Sequence, residues 1–118
     1  MARILIVDDE PDLRGIVRLV LELAGYEVVE AHHGAAALQR LGEESVDLVI
    51  TDVMMPVMNG SELIDRLRAD PQHAALPIIV LSASPHAVDR ADHVMRKPFE
   101  PSELRRITAS LLVADGTH

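Results

Sequence analysis

The chain has no cysteine and no tryptophan, and only one phenylalanine and one tyrosine in 118 residues. Without cysteine there can be neither a disulfide framework nor a thiolate metal site. With so few aromatic rings, the core must be built from Val, Ile, Leu, Ala and Met, a composition that suits a buried parallel sheet covered by helices. No apolar run approaches the ~18 residues of a membrane helix, so no membrane association is expected. Basic residues are scarce: 11 Lys and Arg stand against 19 Asp and Glu, for a formal charge of −8. That balance argues against direct binding of nucleic acid. No G-x-G-x-x-G or P-loop follows the first apolar run, which weighs against a nucleotide-binding domain. Met1-Ala2-Arg3 leads into a short apolar run with no signal-peptide pattern, and a cytoplasmic location is expected.

What is present reads as one domain over residues 1–118, with 113–118 a frayed tail. A chain of this size buries roughly 65% of the surface its unfolded form exposes, enough for one core. The run "RILIVDDE" is a short β-branched strand ending in acids. "PDLRGIVRLVLELAG" places Leu13, Ile16, Val17, Val20, Leu21 and Ala24 at helical spacing, with Pro11 suited to the first turn and Gly25 to the stop. A strand "YEVVEA", a weaker helix "HHGAAALQRLGEE" and a strand "VDLVITD" follow. "MMPVMNG" is a loop, and Ser61 to Ala69 a third helix with Leu63, Ile64 and Leu67 inward. "PIIVLSA" is a fourth strand and "HVMRKP" holds a short fifth. The last helix carries Leu104, Ile107, Leu111 and Leu112 on one face. This alternation predicts an α/β fold with a parallel sheet and right-handed crossovers.

In open parallel sheets, ligands bind beyond the carboxyl ends of the strands. Strand one delivers Asp8, Asp9 and Glu10 there, strand three Asp52, strand four Ser82 and strand five Lys97. Carboxylates cannot gather uncompensated, because like charges raise one another's pKa. A hard divalent cation resolves the conflict, and an oxygen-rich, Cys-free set of donors favours magnesium over zinc. A carboxylate beside magnesium can attack phosphorus and become an acyl phosphate. The cation and Lys97 would stabilise phosphoryl charge, and Ser82 would donate to a phosphate oxygen. Each residue alone has a plainer role: strand-end acids cap helices, a serine shapes a turn, and a lysine is a solvated charge. What singles these residues out is their shared position at strand termini.

The segments "ILIVDDEP", "DLVITDVMMPVMNG", "PIIVLSA" and "KPF", in this order, resemble the receiver domain of two-component response regulators across nearly the whole chain. The resemblance implies a doubly wound, flavodoxin-like, five-stranded parallel sheet of order 2-1-3-4-5. It implies that Asp52 is the phosphoacceptor, that Asp9 is a direct magnesium ligand and that Asp8 acts through a metal-bound water. The backbone carbonyl of Met54 would be a further ligand, Ser82 the switch hydroxyl and Lys97 the phosphate-contacting lysine, with a Lys97–Pro98 bond able to be cis. The implied partners are a histidine kinase or phosphotransfer protein upstream and an effector or downstream protein after it. The domain would catalyse its own phosphorylation and dephosphorylation without turning over an external substrate.

Two features depart from the pattern. The stretch between Ser82 and Lys97, "ASPHAVDRADHVMR", is short, which predicts a truncated or missing fourth helix. Val94 occupies a position that usually carries Tyr or Phe. Both point to an atypical output surface. The alternative is a pseudo-receiver that binds protein without being phosphorylated. An aspartyl-phosphate hydrolase is disfavoured because Met54, not an acid, stands two residues after Asp52. Six histidines include the adjacent His32 and His33, yet no pair has metal-ligand spacing, so solvated surface is expected.

Overall fold

The computed structural model describes residues 2–52, 60–82 and 91–115. In chain order the elements are β1 (Arg3–Val7), α1 (Pro11–Leu23), β2 (Glu27–Ala31), α2 (Gly34–Glu43), β3 (Leu48–Asp52), α3 (Gly60–Ala69), β4 (Ile78–Ser82), β5 (His93–Arg96) and α4 (Pro101–Asp115). All strand pairings are parallel, in the order β2-β1-β3-β4-β5. The expected flavodoxin-like sheet is therefore formed.

Alternation along the strands divides the core into two layers, because successive side chains of a strand point to opposite faces. Ile4, Ile6, Leu48, Ile50, Ile79 and Leu81 face Val17 and Leu21 of α1 and Leu104 and Ile107 of α4. Leu5, Val7, Val49, Ile78 and Val80 face Ala37 and Leu41 of α2 and Leu63, Ile64 and Leu67 of α3. With both faces covered, β3 and β4 are buried at every position. That burial is why they read in sequence as continuous apolar runs.

Local chemistry sets the element ends. Pro11 opens α1, where its missing N–H goes unused. Gly25, at φ 96°, makes the left-handed turn after the helix into β2. His33 caps α2: its Nδ1 accepts the Ala36 N–H at 3.0 Å. The histidine expected to be mere solvated surface thus satisfies a helix terminus.

Two expectations are modified, and a third falls outside the described residues. In α1, Ile16 and Ala24 are exposed; the buried stripe is Val17 and Leu21, flanked by Leu13 and Val20. Helix α4 runs to Asp115, so helix extends into the stretch read as a tail. The truncated or missing fourth helix falls on residues 83–90, outside the described residues. Only ten residues, 83–92, separate β4 from β5, the short limit for a parallel crossover. The described end of that connector, Ala91 and Asp92, is not helical.

Candidate functional site

The strand order reverses at β1, since the chain runs outward to β2 and then returns past β1 to β3. A crevice opens there at the carboxyl ends, the general ligand position of such sheets. Asp8 leaves β1 and Asp52 is the last residue of β3, while β1 and β3 are hydrogen-bonded neighbours with Val7 opposite Thr51. Pairing therefore brings the two carboxylates together, although 43 positions lie between them.

Asp8, Asp9, Glu10 and Asp52 each offer a carboxylate oxygen to one cluster, all within 4.8 Å of one another. Asp8 and Asp52 are buried, and Asp9 and Glu10 are exposed. Lys97 reaches into the cluster from the turn after β5. Its Nζ lies 3.1 Å from Asp52 Oδ2, 3.5 Å from Asp8 Oδ2 and 3.6 Å from Glu10 Oε1. The Lys97–Pro98 bond is cis, as the resemblance implied. Ser82 ends β4, buried, one residue past Leu81, which pairs with Asp52. Its carbonyl accepts the Lys97 N–H at 2.9 Å, tying the lysine to the serine's strand. Met54 lies outside the described residues.

The electrostatics follow from crowding. Burial raises the Asp8 pKa above the usual carboxylate value; the Glu10 N–H and Lys97 oppose it, and the charges of Asp52 and Glu10 reinforce it. The Glu10 N–H donates to Asp8 Oδ1 at 2.8 Å, whereas Asp8 Oδ2 is buried and accepts no hydrogen bond. Burial works against the Lys97 ammonium, but its hydrogen bond to Asp52 and the charges of Asp8, Asp52 and Glu10 prevail, and its pKa is raised. A buried oxygen without a hydrogen bond, among four carboxylates, fits one class of ligand, a hard cation that takes oxygen ligands.

Two participants were not assigned roles from sequence. Glu10, already placed at the end of strand one by the sequence but given no role there, belongs to the acid cluster and lies 3.6 Å from Lys97 Nζ. Arg14 donates to the Asp8 carbonyl oxygen at 2.7 Å and to Glu30 Oε1 at 3.0 Å, bracing the loop that carries the acids. Nothing in the local sequence marks Arg14 for this, because its partners sit on two different strands' ends.

A doubly wound parallel sheet with carboxylates and one lysine at its switch point defines an α/β domain whose site chemistry suits a cation or a phosphate group. Residues 4–109 match the family model of the response regulator receiver domain, and the chain belongs to that family. It is 40% identical over 116 residues to the response regulator GtcR of Aneurinibacillus migulanus, covering 92% of this chain and 47% of GtcR. The chain thus spans about half the length of that relative. Its fold is similar to the signal receiver domain of a signal transduction histidine kinase from Syntrophus aciditrophicus. The TM-score is 0.93 at 30% identity, with 100% of this chain and 95% of that one covered. It is also similar to the response regulator TrrA of Thermotoga maritima, solved in complex with Mg(2+)-BeF. There the TM-score is 0.86 at 35% identity, covering 94% and 99% of the two chains. Among the described residues, no helix is long and apolar enough to cross a membrane.

Proposed function

We propose that this domain accepts a phosphoryl group on Asp52 in a magnesium-dependent transfer from the phosphohistidine of a histidine kinase or phosphotransfer protein. The observation that carries the reading is Lys97 Nζ, 3.1 Å from Asp52 Oδ2 at the edge of a four-carboxylate cluster. Asp8, Asp9 and Asp52 would hold the cation, with the Met54 carbonyl as the further ligand the family resemblance implies. Bound there, the cation would supply positive charge to the transferring phosphoryl oxygens.

Asp52 contributes the nucleophile. One of its carboxylate oxygens forms a bond to phosphorus as the P–N bond to the donor imidazole breaks, and the imidazole leaves with the bonding pair and takes up a proton. Lys97, already at Asp52, is positioned to move its contact to a phosphoryl oxygen as charge develops. Ser82, at the end of the adjacent strand, would donate its hydroxyl to another. In dephosphorylation, water attacks phosphorus as the bond from phosphorus to the Asp52 oxygen breaks, inorganic phosphate departs and the Asp52 carboxylate is restored. The domain acts on itself and turns over no external substrate. The short connector after β4 and the half-buried Val94, packed against the α2/α3 side of the sheet, support output through a face other than the β4–β5 edge.

Incubation with acetyl phosphate and magnesium, followed by intact mass, tests the reading. The expected result is a gain of one phosphoryl group that vanishes with Asp52→Ala or with chelator. No gain, under conditions that label another receiver, would instead support a pseudo-receiver.

A further inference from the structure

Helix α1 carries more apolar surface than the fold uses. Its buried stripe, Val17 and Leu21, already packs on the sheet and α4. Ile16, Leu19 and Leu23 are nevertheless 52%, 58% and 78% exposed, and they are the exposed large hydrophobic residues of the described chain. With Asp12 they follow at intervals of four, three and four residues, the spacing of a single helical stripe. Two shallow, largely apolar hollows between α1 and the start of α4 flank this stripe and share Pro101. Leu13, Ile16, Pro98 and Phe99 line the first, which reaches Glu10 and Lys97 of the acid site, and Val20, Leu23 and Arg105 line the second.

Charge placement selects the occupant. Asp12 begins the stripe, and Arg105 stands beside its far end at Leu23. Both are exposed, and among the described residues neither makes an ion pair or hydrogen bond. On the helix's other flank, Arg18 and Glu22 already neutralise each other at 3.1 Å. An apolar stripe with a free acid at one end and a free base at the other is complementary to itself when reversed. A two-fold axis near its middle would lay Ile16 against Leu19 of the other copy and bring each Asp12 to the other copy's Arg105.

We propose that a second copy of this chain occupies this face, forming an antiparallel α1–α1 dimer closed by two Asp12–Arg105 pairs. One helix and its bordering hollows make a small contact, so the dimer is weak, with a Kd on the order of 100 µM. The proposal does not depend on the phosphorylation chemistry.

Sedimentation velocity of the whole chain across about 10 µM to about 1 mM, a range spanning that affinity, tests it. Wild type is expected to dimerise with rising concentration. Leu19→Glu with Leu23→Glu should weaken association by about tenfold or more, as desolvation of the paired stripe is lost. Both positions are exposed, so an unchanged melting profile in dilute solution will verify that the fold is intact. Asp12→Arg alone and Arg105→Asp alone should each weaken the dimer, and the two together should restore it. A wild type that stays monomeric throughout the range overturns the proposal, even if the same leucines prove to bind a different protein. A dimer indifferent to Leu19 and Leu23 also overturns it, as does failure of the double charge swap to restore association.

Discussion

Lys97 Nζ lies 3.1 Å from Asp52 Oδ2 although their strands, β5 and β3, are not neighbours; β4 runs between them. The lysine crosses that gap from a fixed root, since its backbone N–H is held by the Ser82 carbonyl at the end of β4. One ammonium thus offsets carboxylates delivered by two other strands. The balance is incomplete: burial leaves Asp8 with a raised pKa, and its Oδ2 accepts no hydrogen bond, with Lys97 Nζ only as near as 3.5 Å.

That imbalance predicts a stabilising substitution at the site. A carboxyl whose pKa is raised by folding destabilises the fold when ionised. The penalty is present at neutral pH and disappears as the solution falls below the ordinary aspartate value of 3.8. In chelator at pH 7, Asp8→Asn should therefore raise stability by about 1 kcal/mol, the scale of one unsatisfied buried group. Magnesium should stabilise wild type, by about 2.7 kcal/mol at a hundred times its Kd, and do much less for the variant. Urea titrations with and without the cation will decide; an Asp8→Asn protein less stable than wild type in chelator contradicts the account.

Glu30 has the opposite linkage. Burial raises its pKa, but hydrogen bonds from Arg18 and Arg14 outweigh burial and leave it below the ordinary 4.5. A lowered acid pKa contributes stability that is complete above the unfolded value and is lost as pH falls through the folded one. Glu30→Gln should cost about 1 kcal/mol at pH 7, modest because the pairs are partly solvated. The difference from wild type should fade below pH 4.5. Thermal melts at several pH values measure this; a constant difference down to strongly acid solution would remove the ionic explanation.

The His33 cap is separable from any metal or catalytic role. His33→Ala leaves the Ala36 N–H without its acceptor and should cost about 1 kcal/mol. His33→Asp should recover that loss, because aspartate is a preferred cap and its charge suits a helix N-terminus. Chemical denaturation of the two variants is the check, and equal stabilities would mean that the cap is not the relevant contact.

Leu104 anchors α4 to the sheet at 0% exposure. Leu104→Ala should cost about 2–5 kcal/mol through lost burial and the cavity left behind. Leu23→Ala, measured in dilute solution, should change stability by less than about 0.5 kcal/mol, as expected of an exposed position. Comparable losses at the two sites would mean that α4 does not pack as described.

Much of this protein is determined by sequence alone. β-branched runs buried on both faces have no stable setting other than a covered parallel sheet, so strands at 3–7, 48–52 and 78–82 announce themselves by composition. Asp8, Asp9, Asp52, Ser82 and Lys97 are legible because a strand's carboxyl end is a position readable along the chain, and the segments around them are those of a known family. Only the tertiary structure decided which groups meet there. The Arg14 grip on the Asp8 carbonyl, the contact of Glu10 with Lys97 and the Asp8 oxygen left without a hydrogen bond depend on distances between strands, which spacing along the chain does not encode. The same holds for α1. Its sequence carries one broad apolar arc, and periodicity cannot divide that arc into a half that the sheet buries and a half left open. Val17 and Leu21 went to the core while Ile16, Leu19 and Leu23 stayed outside because α4 covers only part of the helix.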